Sequence, residues 1–157
     1  MRRAALALVV LALVACNGDE PSNGAPTPSP TGSRSILDGD YSTTYSKDTL
    51  RTAGVPEADL CEHAGTHQLT FLGFRWALLR TPLPECGPPQ RGSDSGTFAI
   101  AGDVVSFTDR NPVRGCVAEY RYRFLLGTGT LRFEGVQDDC VPRRTVMVTQ
   151  PYRKTGD

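Results

Sequence analysis

From Ile36 onward the apolar residues fall into short runs that alternate with polar ones. The clearest is Glu119-Tyr120-Arg121-Tyr122-Arg123-Phe124, where aromatics and charges take opposite parities. A period of two is that of a strand with one buried face. The pattern recurs, bounded by Gly, Pro, Asp or Ser, at Gly39–Thr44, Thr66–Leu72, Phe74–Leu78, Thr97–Ile100, Val104–Phe107, Leu131–Phe133 and Thr145–Thr149. It predicts eight strands in a domain over residues 36–155, the last ended by Pro151. Two short helices are predicted between the first two strands. Ser46 suits an N-cap, Asp48 a first turn and Gly54 the position after the helix. Pro56 suits the start of the second helix and Gly65 its end.

Half-buried strands in hairpin order predict an all-β fold, an eight-stranded up-and-down antiparallel barrel, because closure removes both edges. A two-sheet sandwich is the competing arrangement. The connections sharpen the picture. Those after the second, fourth and sixth strands are tight glycine turns, at Gly73, Gly102 and Gly127-Thr128-Gly129. The others are long, and each holds one cysteine: Cys61, Cys86, Cys116 and Cys140. In an up-and-down barrel the long connections share one end, so all four cysteines should gather at an open mouth. Two disulfides are expected there, worth on the order of 2–4 kcal/mol each. Cys86–Cys116 with Cys61–Cys140 is the favoured pairing. Cys61–Cys86 with Cys116–Cys140 also joins neighbouring loops, whereas the crossed pairing would span the mouth. The cysteine spacings, with no C-x-x-C, argue against metal.

Upstream of Ile36 the pattern is different. Arg2 and Arg3 precede an unbroken apolar run, Ala4–Ala15, too short for a permanent membrane helix and suited to a signal peptide over residues 1–15. Leu13-Val14-Ala15-Cys16 has the form of a bacterial lipobox, which implies diacylglycerol on the Cys16 sulfur and cleavage before it. Cys16 would thus account for the odd cysteine of the five. Residues 16–35 are rich in Pro, Ser, Gly and Thr, the composition of a disordered tether, with a reach on the order of 20–25 Å. The expected location is the outer face of the cytoplasmic membrane. Formal charge is zero at pH 7, and removal of Arg2 and Arg3 leaves a slight acidic excess, so nucleic acid is not an expected partner.

No residue pattern points to catalysis, and no cofactor or metal is implied. His63 and His67 are four apart, but Gly65 breaks any shared helical face, so they read as unrelated rim histidines. Asp138-Asp139 reads as a solvated carboxylate pair. Arg121 and Arg123 point outward on their strand, where an acidic partner or headgroup could meet them. Phe71, Trp76, Phe98, Tyr120, Tyr122 and Phe124 point inward and are the candidate ligand-lining residues, with Phe107 and Phe133 completing the interior set. An eight-stranded interior holds its own side chains or one small ligand. Filled core and pocket therefore remain the two alternatives.

The motifs Asp38-Gly39-Asp40-Tyr41, Gly96-Thr97-Phe98, Ala101-Gly102-Asp103-Val104-Val105-Ser106-Phe107 and Gly129-Thr130-Leu131-Arg132-Phe133 carry a family resemblance. Leu50-Arg51-Thr52-Ala53-Gly54-Val55, the Tyr120-x-Tyr122 strand and Pro151-Tyr152-Arg153-Lys154 extend it over about residues 37–154. The chain resembles the lipocalin-like (calycin) barrels and is similar to a group of actinobacterial secreted lipoproteins. Gly39-Asp40-Tyr41 stands where lipocalins carry Gly-x-Trp, and the resemblance implies Arg153 as its basic partner. It implies small apolar ligands, and with the lipobox the expectation is a membrane-tethered binding module for a small apolar or amphipathic ligand. The alternative is a structural or protein-interaction lipoprotein of the envelope with a filled barrel.

Overall fold

The computed structural model describes residues 34–87, 93–112 and 115–157. The expected signal peptide, Cys16 and the tether as far as residue 33 lie outside the described residues. The strands are β1 (Gly39–Tyr45), β2 (Gly65–Leu72), β3 (Arg75–Pro82), β4 (Ser93–Ala101), β5 (Val104–Asp109), β6 (Glu119–Gly127), β7 (Thr130–Gln137) and β8 (Tyr152–Gly156). Each pairs antiparallel with the next and β8 returns to β1, which closes the barrel. The alternation sets which face is inside. Along β6 Tyr120, Tyr122 and Phe124 are buried, while Glu119, Arg121 and Arg123 are exposed. Arg123 pairs outside with Asp103 and Glu134.

Helix α1 (Lys47–Thr52) begins at Ser46, whose hydroxyl accepts from the Thr49 amide. Gly54 follows it at φ +86°, a conformation that favours glycine. After Pro56 come a 3₁₀ turn, Glu57–Asp59, and helix α2 (Leu60–His63). Both helices follow β1 and are too short to persist without packing. Leu50, Val55, Leu60 and Ala64 bury against Tyr45 and Val146.

The chain departs from expectation after β7. Thr145–Thr149 is not the last strand but the end of a helix, α3 (Val141–Thr149), and β8 lies beyond Pro151. Pro142 sits in the first turn of α3, where its missing N–H costs nothing. Val146 and Met147 are buried one turn after Arg143, an apolar face at helical spacing. β8 pairs with β7 only through Thr130↔Arg153 and Leu131↔Tyr152. α3 packs on the remainder of β7 toward the mouth.

Disulfides join Cys61 to Cys86 and Cys116 to Cys140. The favoured pairing, Cys86–Cys116 with Cys61–Cys140, is therefore replaced by its neighbour-loop alternative. α3 supplies the reason: its N-cap is Cys140, which it holds beside Cys116, while α2 carries Cys61 to Cys86.

The half of the barrel next to the tight turns is solid. Phe107 is its hub, with its ring centroid 5.2–6.4 Å from those of Trp76, Phe98, Tyr120, Phe71, Tyr122 and Phe133: 5.5, 6.4, 5.2, 6.1, 6.2 and 6.1 Å respectively. β2 and β5 are separated by two strands in the barrel order, so Phe71 meets Phe107 through the interior and not as a strand neighbour. Tyr41 belongs to this core and packs edge-on against Phe71. Its basic neighbour is Lys154, its register partner, whereas Arg153 pairs with Ser42 and is exposed.

Candidate functional site

The other half is hollow. A cavity of about 540 Å³ opens at the mouth, lined from β2, β3, β4, β5, β6, α2, α3 and the disulfide-bearing loops. Its apolar wall is Trp76, Leu78, Val146 and Met147. Its polar groups are Glu62, His63, His67, Arg80, Asp94, Asp109, Tyr120, Asp139 and Arg143. The inner end of the cavity meets the aromatic core at Trp76 and Tyr120. Of the six expected lining residues, only these two reach it. Phe71, Phe98, Tyr122 and Phe124 are packed in the core.

Trp76 owes its position to a gap in the opposite strand. Gly96 pairs with it in register, and a Cβ there would come within 2.9 Å of the indole Nε1. The indole thus lies over a glycine and is 5% exposed, with no partner for its N–H among the described residues.

Arg143, at the first turn of α3, organises one side of the mouth. Nε and Nη2 donate to both oxygens of Asp138 at 3.0 and 2.7 Å, and Nη1 donates to Asp109 Oδ2 at 2.9 Å. The guanidinium stands 3.6 Å over the Tyr120 ring. Asp138 also accepts from the Tyr122 hydroxyl and from the Cys140 amide at 2.9 Å. Four donors thus surround a carboxylate whose side chain is fully buried. Burial would push Asp138 up, but these hydrogen bonds hold it below its ordinary value. Burial wins at Asp109, which is raised despite bonds from the Tyr120 hydroxyl and Arg143. Asp138 is therefore not a solvated loop carboxylate, and only Asp139 of the pair is exposed. Sequence reasoning missed Arg143 because a strand over Thr145–Thr149 left no helix to present it; Pro142 was the signal.

On the opposite side, His67 points inward from β2 and is 3% exposed. Its Nε2 lies 2.9 Å from the His63 carbonyl, and its ring meets Tyr45 edge-on at 5.1 Å. Burial lowers the ring to a pKa of about 4, with the Arg80 charge acting in the same direction. His63 and His67 are therefore linked, not unrelated rim residues, and burial lowers His63 as well. Among the described residues no group of three or more His, Cys, Asp or Glu could hold a metal. Hydrogen-bonding side chains beside an apolar wall can orient an amphipathic molecule. The chain matches no family model, no curated protein and no solved structure.

Proposed function

We propose that the protein is a membrane-tethered extracytoplasmic binding module, a lipocalin-like barrel that holds one small apolar or amphipathic molecule at its mouth. The carrying observation is the mouth cavity of about 540 Å³, walled by Trp76, Leu78, Val146 and Met147 beside a few oriented polar groups. That size and lining are those of a small-molecule site. Cys16 is the proposed lipid attachment, on the strength of Leu13-Val14-Ala15-Cys16 and the tether composition. β1 starts at the tight-turn end, so the domain's N-terminal entry and the cavity lie at opposite ends of the barrel. Exposed Leu72 and Phe74 flank the Gly73 turn at that entry end, where a lipid surface would be met.

Native mass spectrometry of the protein purified from its own host tests the binding reading. A retained small molecule supports it; a bare chain, together with no saturable uptake of aliphatic probes, refutes it. Cys16→Ala should release the protein to the medium or leave unprocessed precursor. Undiminished lipid labelling of that variant would overturn the anchor.

The solid half of the barrel favours a second reading, a structural or interaction lipoprotein of the envelope. Phe71, Phe98, Phe107 and Phe133 meeting across the axis are what a filled barrel requires. The same uptake measurement separates the two readings.

A further inference from the structure

His67, on the wall of the cavity, carries a buried acceptor with nothing to accept from. The His67 Nε2 contact at 2.9 Å is to the His63 carbonyl, which can only accept, so Nε2 carries the ring proton. In the neutral ring Nδ1 is then a bare lone pair. It is buried, and no described residue reaches it. Buried polar atoms are nearly always paired, so this one needs an explanation. His67 lines the cavity, and Arg80, its register partner on β3, lines it alongside. Arg80 Nη1 donates to the Cys61 carbonyl at 3.1 Å.

The rest of the lining limits the head group. Glu62, Asp94, Asp109 and Asp139 share the cavity, while the Arg143 guanidinium is already bound by Asp138 and Asp109. An anionic head would meet these carboxylates and could offer Nδ1 no proton. A hydroxyl supplies one donor and keeps lone pairs for a guanidinium. Below the head, Leu78 and Trp76 continue the β3 wall inward from Arg80, opposite Met147 of α3.

We propose that the cavity selects a non-anionic aliphatic molecule bearing a hydroxyl, whose O–H donates to His67 Nδ1 and whose chain lies along Leu78, Trp76 and Met147. This rests on the binding-module reading and specifies its ligand class.

The test uses the full-length chain carrying Cys16→Ala, so that no acyl chain competes, with disulfides intact. Trp76 is the chain's single tryptophan and reports occupancy by fluorescence. The probes are 1-dodecanol, dodecyl methyl ether and dodecanoate. Dodecanol should bind about tenfold more tightly than the ether, the yield of one hydrogen bond that the ether cannot donate. It should also bind more tightly than dodecanoate. His67→Phe should reduce the alcohol-to-ether ratio to below about twofold. A second measurement stands if that variant fails to fold: dodecanol, and not the ether, should shift the His67 Nδ1 resonance of the unsubstituted ring. Equal binding of alcohol and ether, preference for dodecanoate, or an unmoved Nδ1 resonance overturns the hydroxyl assignment alone. Failure of all three probes to bind overturns the binding module with it.

Discussion

Two side chains set the character of the mouth, and each makes a separable prediction. Arg143 is 15% exposed and neutralises Asp138, which is fully buried, and Asp109, which is nearly so. Removing one partner of a buried pair strands the other charge, at a cost of about 3–5 kcal/mol. Arg143→Met should therefore lower stability by about that amount in denaturant unfolding. Arg143→Lys should recover only part of it, because an ammonium cannot serve two carboxylates as the guanidinium fork does. A loss below about 1 kcal/mol in Arg143→Met would mean that Asp138 is solvated after all. His67 predicts a pH dependence. Its native pKa is about 4, against an unfolded value near 6.5. Between these values the unfolded state binds more protons, so stability falls as pH drops from about 6.5 to 4, by about 3 kcal/mol in full. His63 adds a slope of the same sign. The raised Asp109 and Asp94 oppose it toward the acid end. The difference between the native chain and His67→Phe isolates His67. Parallel stability–pH curves for the two would refute the assignment.

At the level of elements, strand alternation was easy to read because the barrel buries one face of every strand. Tyr120, Tyr122 and Phe124 on β6 show it without ambiguity. The caps of α1 were equally legible, since Ser46 and Gly54 act within a few residues of themselves. The segment Thr145-Val146-Met147-Val148-Thr149 was not. Its β-branched residues favour a strand, and only tertiary packing of Val146 and Met147, with Cys140 and Arg143 fixing the first turn, makes it helical. That one misreading concealed Arg143, the buried state of Asp138 and the disulfide pairing together. The pairing is directly measurable. Proteolysis without reduction should yield peptides linking Cys61 to Cys86 and Cys116 to Cys140, and none linking Cys86 to Cys116. Cys116→Ser with Cys140→Ser should lower stability by about 3 kcal/mol, as expected for a crosslink closing a loop of this length. The same change should expose the amides of α3 to hydrogen exchange before those of β2–β5. Uniform exchange across both regions would show that α3 does not depend on its tether.

Whether the whole barrel is solid or hollow was not decidable from its inward aromatics, because the answer depends on where along the axis each ring falls. Neighbouring inward positions differ in height according to the stagger of the strands, which alternation does not reveal. Phe107 and Phe133 pack within the core and do not line the cavity, whereas Trp76 and Tyr120 end the packed region, and beyond them smaller residues and charged groups leave space. The two halves should therefore respond oppositely to changes of volume. Phe107→Ala removes the ring that contacts six others and should cost about 3–5 kcal/mol. Leu78→Trp adds bulk where the cavity is empty, so its cost should stay within about 1 kcal/mol, in contrast to the usual penalty for overpacking a filled core. Binding should show the reverse order. Leu78→Trp should weaken dodecanol uptake by more than about tenfold, while Phe107→Ala, where it remains folded, should keep the preference for alcohol over ether. Calorimetric titration reads both variants without relying on tryptophan emission. If Leu78→Trp were as destabilising as Phe107→Ala, the mouth would be as tightly packed as the closed end, and the division into a solid half and a hollow half would fail.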